Sequence, residues 1–335
     1  MIKIGIIGGG YMGKMHANCY RALENVSVVA ISDIQRERAR EIANLTGARI
    51  FDKVDELINN SEVDAISILL PTYLHKELVI KSARAGKHVF CEKPFALSMK
   101  DAVEMIEEVE KARVKLMIGM VLRFWPEYVE FKKIVDSRIY GGLAKLTCTR
   151  LASQPTFGWQ GWYFDPKRSG GAALDLHIHD TDYIYYLLGK PNSVYSVGRK
   201  ANNSWEHICT IYKFNDTIVS AEGSWVEESF GFLQAIRGVF EDGTILEYNS
   251  KNQPLTVYQK SKSEQVNITR IKIDSIDTGG NISVPDAYYN EDKYWTDCLQ
   301  NNQFPERVTS QDAKASLEIV FREIESAETG KEILL

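Results

Sequence analysis

The sequence predicts an α/β domain with a doubly wound parallel sheet, followed by an α+β domain with a large open, mainly antiparallel sheet. From residue 1 to about 122, short apolar runs alternate with amphipathic helical stretches. Strands that alternate with helices and are apolar throughout are typical of parallel sheets covered on both faces. After residue 122, most strand-like runs follow one another without helices between them, which indicates antiparallel pairing.

The length of 335 residues corresponds to about two domains. The change of pattern falls at Arg123-Phe124-Trp125-Pro126, so we predict a first domain at 1–122 and a second at 123–335. The helix that closes the chain is also placed to pack back on the first domain. Predicted strands of the first domain lie at 2–7, 26–32, 49–51, 65–70, 88–91 and 116–121; those of the second lie at 144–152, 193–199, 207–214, 217–225, 232–238, 244–249, 254–259 and 266–273.

The composition excludes several classes of protein. A net charge of −5 gives no electrostatic reason to expect nucleic acid or an anionic membrane as a partner. No apolar stretch reaches the ~18 residues of a membrane span, and the start at Met1 lacks signal-peptide character. The five cysteines are scattered and form no C-x-x-C pair. We therefore expect a reduced, cytoplasmic protein without a metal site.

Three glycines follow the first predicted strand, at Gly8, Gly10 and Gly13, with Tyr11 and Met12 between the last two. Helix-forming sequence follows. In a dinucleotide site such glycines allow a tight turn, close approach of the backbone to the pyrophosphate, and close packing of helix on strand. The second predicted strand ends before Asp33, about 20 residues after the last glycine, where this fingerprint places an acidic residue on the ribose. The pattern predicts a nicotinamide dinucleotide site formed by these residues.

Asp33 also bears on the choice of cofactor. A carboxylate accepts hydrogen bonds from a free ribose diol and repels a 2′-phosphate, so NAD is favoured and NADP is the alternative. Arg36 and Arg38 lie nearby and would soften that preference if they reached the ribose. We expect both to face solvent on the following helix.

Two further loops leave the carboxyl ends of predicted parallel strands, where ligands bind in such sheets. One carries Pro71, Thr72 and His75, and the other carries Glu92 and Lys93. Both loops should border the same crevice as the glycine loop. We therefore add these five residues to the predicted cofactor site.

A second group of ionisable residues lies in the predicted helix 170–188. Residues four apart share a helix face, so Asp175 and His179 point together and His177 points away. Two histidines beside carboxylates could also bind zinc or iron, but His177 and His179 would share a face only on a strand. A histidine paired with an aspartate purely for packing is the structural alternative.

Hydride transfer explains why these residue types are wanted together. Oxidation of a secondary alcohol by NAD needs a base for the hydroxyl proton, and histidine has a suitable unperturbed pKa. In this interpretation His179 is the base and Asp175 orients the substrate or the imidazole. Lys93 hydrogen-bonds the developing alkoxide and favours ionisation of the hydroxyl.

The chain resembles the Gfo/Idh/MocA family of dehydrogenases, named after glucose–fructose oxidoreductase, inositol dehydrogenase and a rhizopine-catabolism protein. The resemblance rests on Gly8-x-Gly10-x-x-Gly13, Glu92-Lys93-Pro94 and Asp175-x-x-x-His179 in that order. It implies a Rossmann domain followed by an open-faced sheet domain that forms dimers or tetramers. It also implies Lys93, Asp175 and His179 as catalytic residues, sugars, nucleotide sugars or cyclitols as substrates, and a cis Lys93–Pro94 bond.

The loop 156–164 is unusually aromatic for this family. Sugar rings stack on aromatic faces, so Trp159, Trp162 or Tyr163 either form a pocket wall or pack the sheet or a subunit interface. Arg123 and Tyr128 are weaker candidates for substrate contacts.

Three functions are consistent with these residues. The favoured one is an NAD-dependent dehydrogenase acting on a secondary hydroxyl of a sugar, nucleotide sugar or cyclitol. The second keeps the cofactor but is a glycoside hydrolase that oxidises its substrate transiently, eliminates the aglycone and reduces the product again. The third is a non-catalytic NADH-binding sensor.

Overall fold

A computed structural model describes residues 1–201, 203–226, 231–271, 273 and 285–335. It divides into two compact units: Met1–Trp125 with Ile271–Lys314, and Pro126–Arg270 with Ala315–Leu335. The chain therefore returns to the first unit, whereas the sequence-based division assigns all of 123–335 to the second domain. A helix of the returning segment, Asp286–Gln300, belongs with the first unit, where it packs on the helix Tyr11–Arg21.

The first unit is built on a parallel sheet. In the described part of the chain this sheet has six strands in the order β3-β2-β1-β4-β5-β6, the arrangement of a Rossmann domain. Its strands are β1 Ile2–Ile7, β2 Val26–Ser32, β3 Arg49–Ile50, β4 Ala65–Ile68, β5 His88–Glu92 and β6 Leu116–Gly119. Most residues of these strands are buried, as expected for a sheet with helices on both faces.

The helices of the first unit begin and end at recognisable signals. The fifth helix starts after Ser98, whose side chain accepts a hydrogen bond from the Asp101 amide, and the second ends at Gly47 in the left-handed conformation. The helices are α1 Tyr11–Arg21, α2 Arg36–Thr46, α3 Val54–Ile58, α4 His75–Arg84, α5 Met99–Ala112 and α10 Asp286–Gln300, with short 3-10 turns at Thr72–Leu74, Val121–Arg123 and Glu306–Val308.

The second unit is built on a large open sheet. Within the described residues it has nine strands in the order β14-β13-β12-β11-β7-β10-β9-β8-β15. All neighbours pair antiparallel except β7 and β10, which are parallel. The strands are β7 Leu143–Leu151, β8 Ser193–Ala201, β9 Ser204–Lys213, β10 Ile218–Ser224, β11 Leu233–Phe240, β12 Ile245–Asn249, β13 Gln253–Gln259, β14 Lys262–Gln265 and β15 Ile333–Leu334.

Side chains of the central strands alternate between the two faces of this sheet. Ile208 and Tyr212 of β9 are buried, whereas Ile211 on the other face is 56% exposed. One face of the sheet is therefore buried and the other is open.

The helices of the second unit are α6 Pro126–Ser137, α7 Pro166–Ser169, α8 Gly171–Asp175, α9 Ile178–Leu188 and α11 Ser310–Thr329. Residues 310–314 of α11 are assigned to the first unit. A 3-10 segment lies at Trp159–Phe164.

The strand predicted at 266–273 differs from the structure. The edge strand β14 occupies Lys262–Gln265, and residues 266–271 form no regular element. Residue 272 lies outside the described residues. Within those residues, no helix has both the length and the apolar character needed to cross a bilayer.

Candidate active site

The loop between β1 and α1 holds two glycines in positions that exclude any side chain. Gly8 has a φ of +104°, and a Cβ there would overlap the backbone carbonyl of Leu69. A Cβ on Gly13 would overlap the carbonyl oxygen of Gly8. Both glycines are therefore required by close packing within the loop and against the sheet.

Gly10 differs because its surroundings leave room in front of the loop. Among the described residues, the nearest atom to a Cβ built on Gly10 is Nη1 of Arg38, at 3.5 Å. Helix α1 starts at Tyr11 with Gly10 at its N-cap, and no described side chain caps this end. The first turn also lacks acidic residues. The exposed N–H groups and the positive end of the helix dipole suit a phosphate group.

Asp33 follows β2 and is hydrogen-bonded to the glycine loop. Its Oδ2 accepts the N–H of Gly9 at 2.7 Å, and its Oδ1 accepts the N–H of Gln35 at 2.7 Å. Each carboxylate oxygen can accept a further hydrogen bond. The side chain is thus fixed beside the loop and retains acceptor capacity for a ribose diol, which stays its predicted ligand.

The two arginines after Asp33 have different environments. Arg36 is exposed and pairs with Asp52. Arg38 is half-buried, with its guanidinium beside Gly10. The expectation that both arginines face solvent is wrong for Arg38, because α2 packs on α1 and directs this side chain towards the glycine loop.

The loop after β4 is tied to the loop after β5 through His75. Pro71 precedes the 3-10 turn that contains Thr72, which is buried. The ring of His75 is fully buried, with Nδ1 at 3.0 Å from the Pro94 carbonyl and Nε2 at 2.8 Å from the Leu70 carbonyl. Burial lowers the pKa of His75. These contacts are to backbone, and cofactor contacts of Pro71, Thr72 and His75 stay predictions.

Glu92 is the last residue of β5 and anchors Lys93. Its Oε2 accepts the backbone N–H of Lys93 at 3.0 Å. The Lys93–Pro94 bond is cis, as the family resemblance implies. Lys93 is half-buried and follows β5 at the same carboxyl edge of the sheet from which the glycine loop leaves β1.

The other carboxylate oxygen of Glu92 contacts a buried histidine. Glu92 Oε1 lies 3.0 Å from Nε2 of His16, and the two oxygens of Asp292 lie 2.8 and 3.0 Å from Nδ1. A neutral imidazole has a single N–H, so carboxylates at both nitrogens favour the imidazolium. Burial alone would lower the pKa of His16, but Asp292 and Glu92 outweigh it and raise this pKa to about 10.

Asp175 and His179 lie in the second unit, on either side of an interruption. Helix α8 ends at Asp175 and α9 begins at Ile178, so the prediction of one continuous helix over 170–188 is wrong. The His177 amide donates to the Ala172 carbonyl at 2.9 Å, a five-residue step that widens the turn. Asp175 is buried and His179 is half-buried. Because the helix is interrupted between them, the four-residue spacing alone no longer shows that Asp175 and His179 lie on one face.

His177 has partners of its own within the second unit. It is fully buried, and its Nε2 lies 3.2 Å from the Tyr212 hydroxyl and 3.2 Å from Oε2 of Glu323. The backbone of His177 is right-handed helical. A metal site formed by His177 and His179 would require both residues on a strand. The structure describes helical backbone at His177 instead.

The aromatic loop packs on its own unit. Trp162 is buried, and its ring centroid lies 3.9 Å from that of Tyr163. Tyr163 in turn meets the ring of Trp225 edge-on at 5.8 Å. Of the two interpretations of this loop, the structure shows packing for Trp162 and Tyr163. Trp159 is half-buried, and substrate contacts of all three stay predictions.

The two weaker substrate candidates are buried. Arg123 is 2% exposed, and its Nη1 donates to the Arg307 carbonyl at 2.8 Å and lies 3.4 Å from Asp312. Tyr128 is fully buried, with its ring edge-on to that of Tyr183. The contacts described for both residues are with other residues of the chain. A substrate contact of Arg123 or Tyr128 therefore stays a prediction that these contacts do not support.

Two family models match the chain over more than half of its length. One, described as "Oxidoreductase family, NAD-binding Rossmann fold", matches residues 2–120. The other, described as "GFO/IDH/MocA C-terminal domain", matches residues 128–245. The chain belongs to the GFO/IDH/MocA oxidoreductase family. The resemblance, the two-sheet fold and NAD as the cofactor are thereby confirmed.

Relatives and a solved structure agree with this membership. The chain is 36% identical over 190 residues to a myo-inositol 2-dehydrogenase of Thermotoga maritima, covering 56% of this chain and 55% of the relative. It is 33% identical over 205 residues to a 2,7-anhydro-N-acetylneuraminate hydratase of Escherichia coli, covering 59% and 53%. The matches thus span about half the length of these relatives. A crystal structure of a probable dehydrogenase from Thermotoga maritima superposes with a TM-score of 0.83 at 25% identity, covering 99% of this chain and 98% of that one.

The first unit of this GFO/IDH/MocA protein fits its cofactor. The room in front of Gly10 and the uncapped start of α1, as judged from the described residues, suit the pyrophosphate. Asp33 is fixed where it retains acceptors for the adenosine ribose. Gly8 and Gly13 allow the close packing that brings these groups together.

Sequence reasoning missed two groups of residues. The first is His16 with Asp292, which lie 276 positions apart and carried no shared motif. The second is His207, Cys209 and Glu222, whose metal-capable atoms all lie within 4.8 Å of one another on β9 and β10. The spacing His207-x-Cys209 on a predicted strand was a usable signal, because residues two apart share a strand face.

Proposed function

We propose that this chain is an NAD-dependent dehydrogenase that oxidises a secondary hydroxyl of a sugar, nucleotide sugar or cyclitol, or reduces the matching ketone. One observation carries the proposal. The glycine loop, Asp33 and Lys93 follow β1, β2 and β5 at the carboxyl edge of one parallel sheet. Ligands of doubly wound sheets bind at this edge, and Lys93 is held there through the carboxylate of Glu92.

Each proposed catalytic residue has its own role. His179 accepts the substrate hydroxyl proton, since an imidazole with a pKa near neutrality suits a general base. Asp175 orients the substrate or the His179 ring. Lys93 donates a hydrogen bond to the developing alkoxide and stabilises its charge. When NAD is bound, its nicotinamide ring accepts the hydride.

The substrate class is supported by the names of the relatives. The Thermotoga maritima relative is named for myo-inositol and the Escherichia coli relative for an anhydro sugar acid. Both compounds are rings that carry several hydroxyl groups. We therefore place the substrate among cyclitols and sugars, including nucleotide sugars.

The proposal predicts that Lys93 and His179 are needed for turnover. A panel of sugars and cyclitols, including myo-inositol, is assayed with NAD by NADH absorbance. Lys93→Ala and His179→Ala should each lower kcat by about 100-fold or more, the usual contribution of a positioned acid or base. NADH binding, measured by fluorescence, should persist in both variants because the glycine loop and Asp33 are unchanged.

Lys100→Ala is the matched control, because Lys100 lies in the same unit with its side chain 84% exposed. It should retain wild-type turnover. Full activity of both Lys93→Ala and His179→Ala would contradict the assigned roles.

A redox-neutral reaction is the second candidate, favoured by the relative that is named a hydratase. In this case transient oxidation of the substrate would activate a neighbouring carbon for elimination, and the later reduction of the product would return the cofactor to its oxidised form. For a glycoside, this sequence is the NAD-dependent hydrolase reaction. Release of an aglycone without net NADH would support it, whereas NADH accumulating in step with oxidised product supports the dehydrogenase.

The non-catalytic sensor would be the remaining function if no sugar or cyclitol of the panel yielded NADH or another product. It also requires tight NADH binding by the wild-type chain. The presence of candidate catalytic residues in both units argues for chemistry instead.

We also propose that the chain forms a homodimer or homotetramer through the open face of the second sheet. Tyr195, Val197, Ile211 and Ile218 expose between 41% and 68% of their surface on the adjacent strands β8, β9 and β10. Tyr195 and Ile211 are direct cross-strand partners. Such a cluster of exposed apolar side chains is typical of an interface.

The oligomer is tested by light scattering after size exclusion. Ile211→Glu should reduce the mass to that of a monomer, because a carboxylate would be buried without a partner in the interface. Ile34→Glu, at an exposed residue of the first unit, is the matched control and should leave the mass unchanged. A wild-type monomer would contradict the proposal.

A cytoplasmic location is proposed on the state of the thiols. All five cysteines are free, and four of them are buried. Free thiols of this kind are usual in reducing compartments.

A further inference from the structure

We propose that His16 and Asp292 position Lys93 by fixing the Glu92 carboxylate that holds the Lys93 backbone. This inference rests on the proposed function, because it takes Lys93 to act on the substrate. His16 and Asp292 touch neither substrate nor cofactor in this proposal, and they act through Glu92 alone.

The proposed connection is continuous in hydrogen bonds. Asp292 of α10 contacts His16 Nδ1 through both oxygens, and His16 Nε2 contacts one oxygen of Glu92. The remaining oxygen of Glu92 accepts the N–H of Lys93 at 3.0 Å. Each group in this chain of contacts is directional, so a shift at Asp292 is passed to the Lys93 backbone.

The surroundings give the Glu92 carboxylate little freedom. A Cβ built on Gly119, its pairing partner on β6, would lie 3.3 Å from the carboxylate. The His16 ring is itself enclosed by Phe90 and Tyr288, with centroids at 5.0 and 5.7 Å. The carboxylate is therefore clamped between a strand backbone and a fixed cation.

The charges argue that this arrangement has a role beyond filling space. Two buried carboxylates and one imidazole cost more to desolvate than apolar side chains of similar volume. Here one imidazole satisfies both carboxylates, and one of these carboxylates is bonded to the residue assigned to catalysis. A positioning role accounts for a charged arrangement at this place, where simple packing would not need it.

A double-mutant cycle tests the connection. Asp292→Asn keeps the size of the side chain but weakens its hold on His16. With Lys93 present, we expect it to lower kcat about 10- to 100-fold on the panel compound that is turned over fastest, because small misplacements of a catalytic group are costly. In the Lys93→Ala background, measured at high enzyme concentration, the same change should alter the residual rate less than about twofold.

The matched control is Thr296→Val on the same helix. Thr296 is buried, and its hydroxyl donates to the backbone carbonyl of Asp292 at 2.8 Å without touching the ring of His16. It should affect stability without showing coupling to Lys93. If Asp292→Asn fails to fold, His16→Gln takes its place in the same cycle.

The outcomes separate this inference from the proposed function. If Asp292→Asn lowers the rate equally with and without the Lys93 side chain, positioning through Lys93 is wrong and the proposed function stands. If Lys93→Ala has wild-type turnover, the proposed function itself fails and takes the inference with it.

A spectroscopic measurement provides a readout independent of activity. In nitrogen-15 spectra of the histidine rings near neutral pH, His16 should show protons on both nitrogens, and this signal should vanish in His16→Gln. A neutral His16 ring would overturn the proposal, because an ionised carboxylate at one of the two ring nitrogens would then lack a hydrogen-bond donor.

Independently, we infer a divalent-metal site on the open face of the second sheet, formed by His207, Cys209 and Glu222. His207 and Cys209 lie two apart on β9 and share a face, and Glu222 of β10 is the cross-strand partner of Cys209. The site takes a borderline-soft ion of the zinc class, because its donors are nitrogen, sulfur and oxygen.

The distances suit tetrahedral coordination by three ligands. Cys209 Sγ lies 3.5 Å from His207 Nε2, and zinc bond lengths place sulfur and nitrogen about 3.6 Å apart around a tetrahedral ion. His207 Nε2 and Glu222 Oε1 lie 2.9 Å apart and would separate by about 0.5 Å on binding. Both side chains are only partly buried in the single chain, so packing within the chain permits this movement. A thiolate and a carboxylate would neutralise the ion.

Cobalt serves as the spectroscopic probe for this site. Tag-free protein, first treated with a chelator, is titrated with Co²⁺. We expect one equivalent to produce sulfur-to-cobalt charge-transfer absorbance, which Zn²⁺ then removes by displacement. Cys209→Ser should abolish this absorbance, and His207→Ala and Glu222→Gln should weaken binding.

Cys298→Ser is the matched control, because Cys298 is a buried thiol of the first unit. Its cobalt spectrum should match that of the wild type. A titration without charge-transfer absorbance, or absorbance that survives in Cys209→Ser, would overturn the site.

Discussion

The three glycines of the nucleotide loop make different contributions, and alanine substitutions should separate them. Gly13→Ala forces a Cβ onto the carbonyl of Gly8 and should destabilise the first unit by about 1–3 kcal/mol, the usual cost of overpacking. Gly10→Ala meets no such overlap among the described residues and should fold normally. It should still weaken NADH binding by about tenfold, because the methyl group occupies space that the pyrophosphate needs.

Thermal unfolding and NADH fluorescence measure these two effects on the same samples. Gly47→Ala is a useful reference for backbone strain, since Gly47 has positive φ, lies in the same unit and has no described atom within 4 Å of its Cβ position. A Gly10→Ala variant with wild-type NADH affinity would contradict the assignment of this loop to the pyrophosphate.

His16 should make stability depend on pH in a defined direction. The folded chain holds its proton up to a pKa of about 10, whereas the ordinary value is 6.5. A raised pKa stabilises the folded state fully below the ordinary value, and this stabilisation is lost as pH rises towards the folded pKa. Stability should therefore fall between pH 6.5 and about 10, by up to about 1.4 kcal/mol per pH unit from this group.

Urea denaturation across this range measures the slope. His16→Gln removes the imidazole that titrates in this range, so the stability of this variant should depend less steeply on pH than that of the wild type. Equal slopes for the two proteins would mean that His16 does not hold its proton in the folded state.

Local residue patterns predicted one part of the site better than the other. Gly8 and Asp33 directly follow strand ends, and Gly13 lies in the first turn of the next helix. The expected steric and hydrogen-bonding features therefore follow from short-range sequence. The pairing of His16 with Asp292 depends on a segment that returns from the far end of the chain. A sequence carries no direct signal for such a contact, since either residue alone resembles an ordinary polar residue of a helix.

Sequence patterns also fail to predict the bounds of a helix or strand where the backbone hydrogen bonds depart from regular spacing. The stretch 170–188 has the apolar content of one helix, yet the His177 amide bonds five residues back and splits it into α8 and α9. Edge strands are also hard to place, because fewer neighbours fix them. The sequence pattern predicts the last long strand at 266–273, whereas β14 lies at Lys262–Gln265.

A buried ion pair joins α9 to β7, and it gives a prediction for these elements. Nε and Nη2 of Arg150 donate to the two oxygens of Asp180 at 2.8 and 3.1 Å. Burial alone would lower the pKa of Arg150, but Asp180 outweighs it and raises this pKa. Asp180→Asn would leave a buried guanidinium without its counterion. We expect it to reduce the free energy of unfolding by about 3–5 kcal/mol.

Arg150→Met combined with Asp180→Leu should be less damaging than Asp180→Asn alone, because no charge then remains buried. Urea denaturation followed by near-ultraviolet circular dichroism compares the three proteins. A loss below about 1 kcal/mol in Asp180→Asn would mean that water reaches the pair.

The whole molecule is organised differently from a simple succession of two domains. The first unit is completed by residues 271–314, after the chain has formed most of the second. Composition and local pattern cannot show this, since α10 resembles any amphipathic helix. The division at residue 122 therefore captures where the parallel sheet ends but omits the helix that completes its unit.

The returning segment leads to a prediction about fragments. A fragment of residues 1–122 lacks Asp292, the partner of His16, and Trp295, which is fully buried in the intact chain. It should fail to fold and should not bind NADH. Residues 1–125 joined to 285–314 by a flexible Gly/Ser linker should fold, because the linker restores α10 to the unit in which it packs on α1. Circular dichroism and NADH fluorescence distinguish the two fragments. A folded, NADH-binding fragment of 1–122 would show that the returning helix is dispensable for the cofactor site.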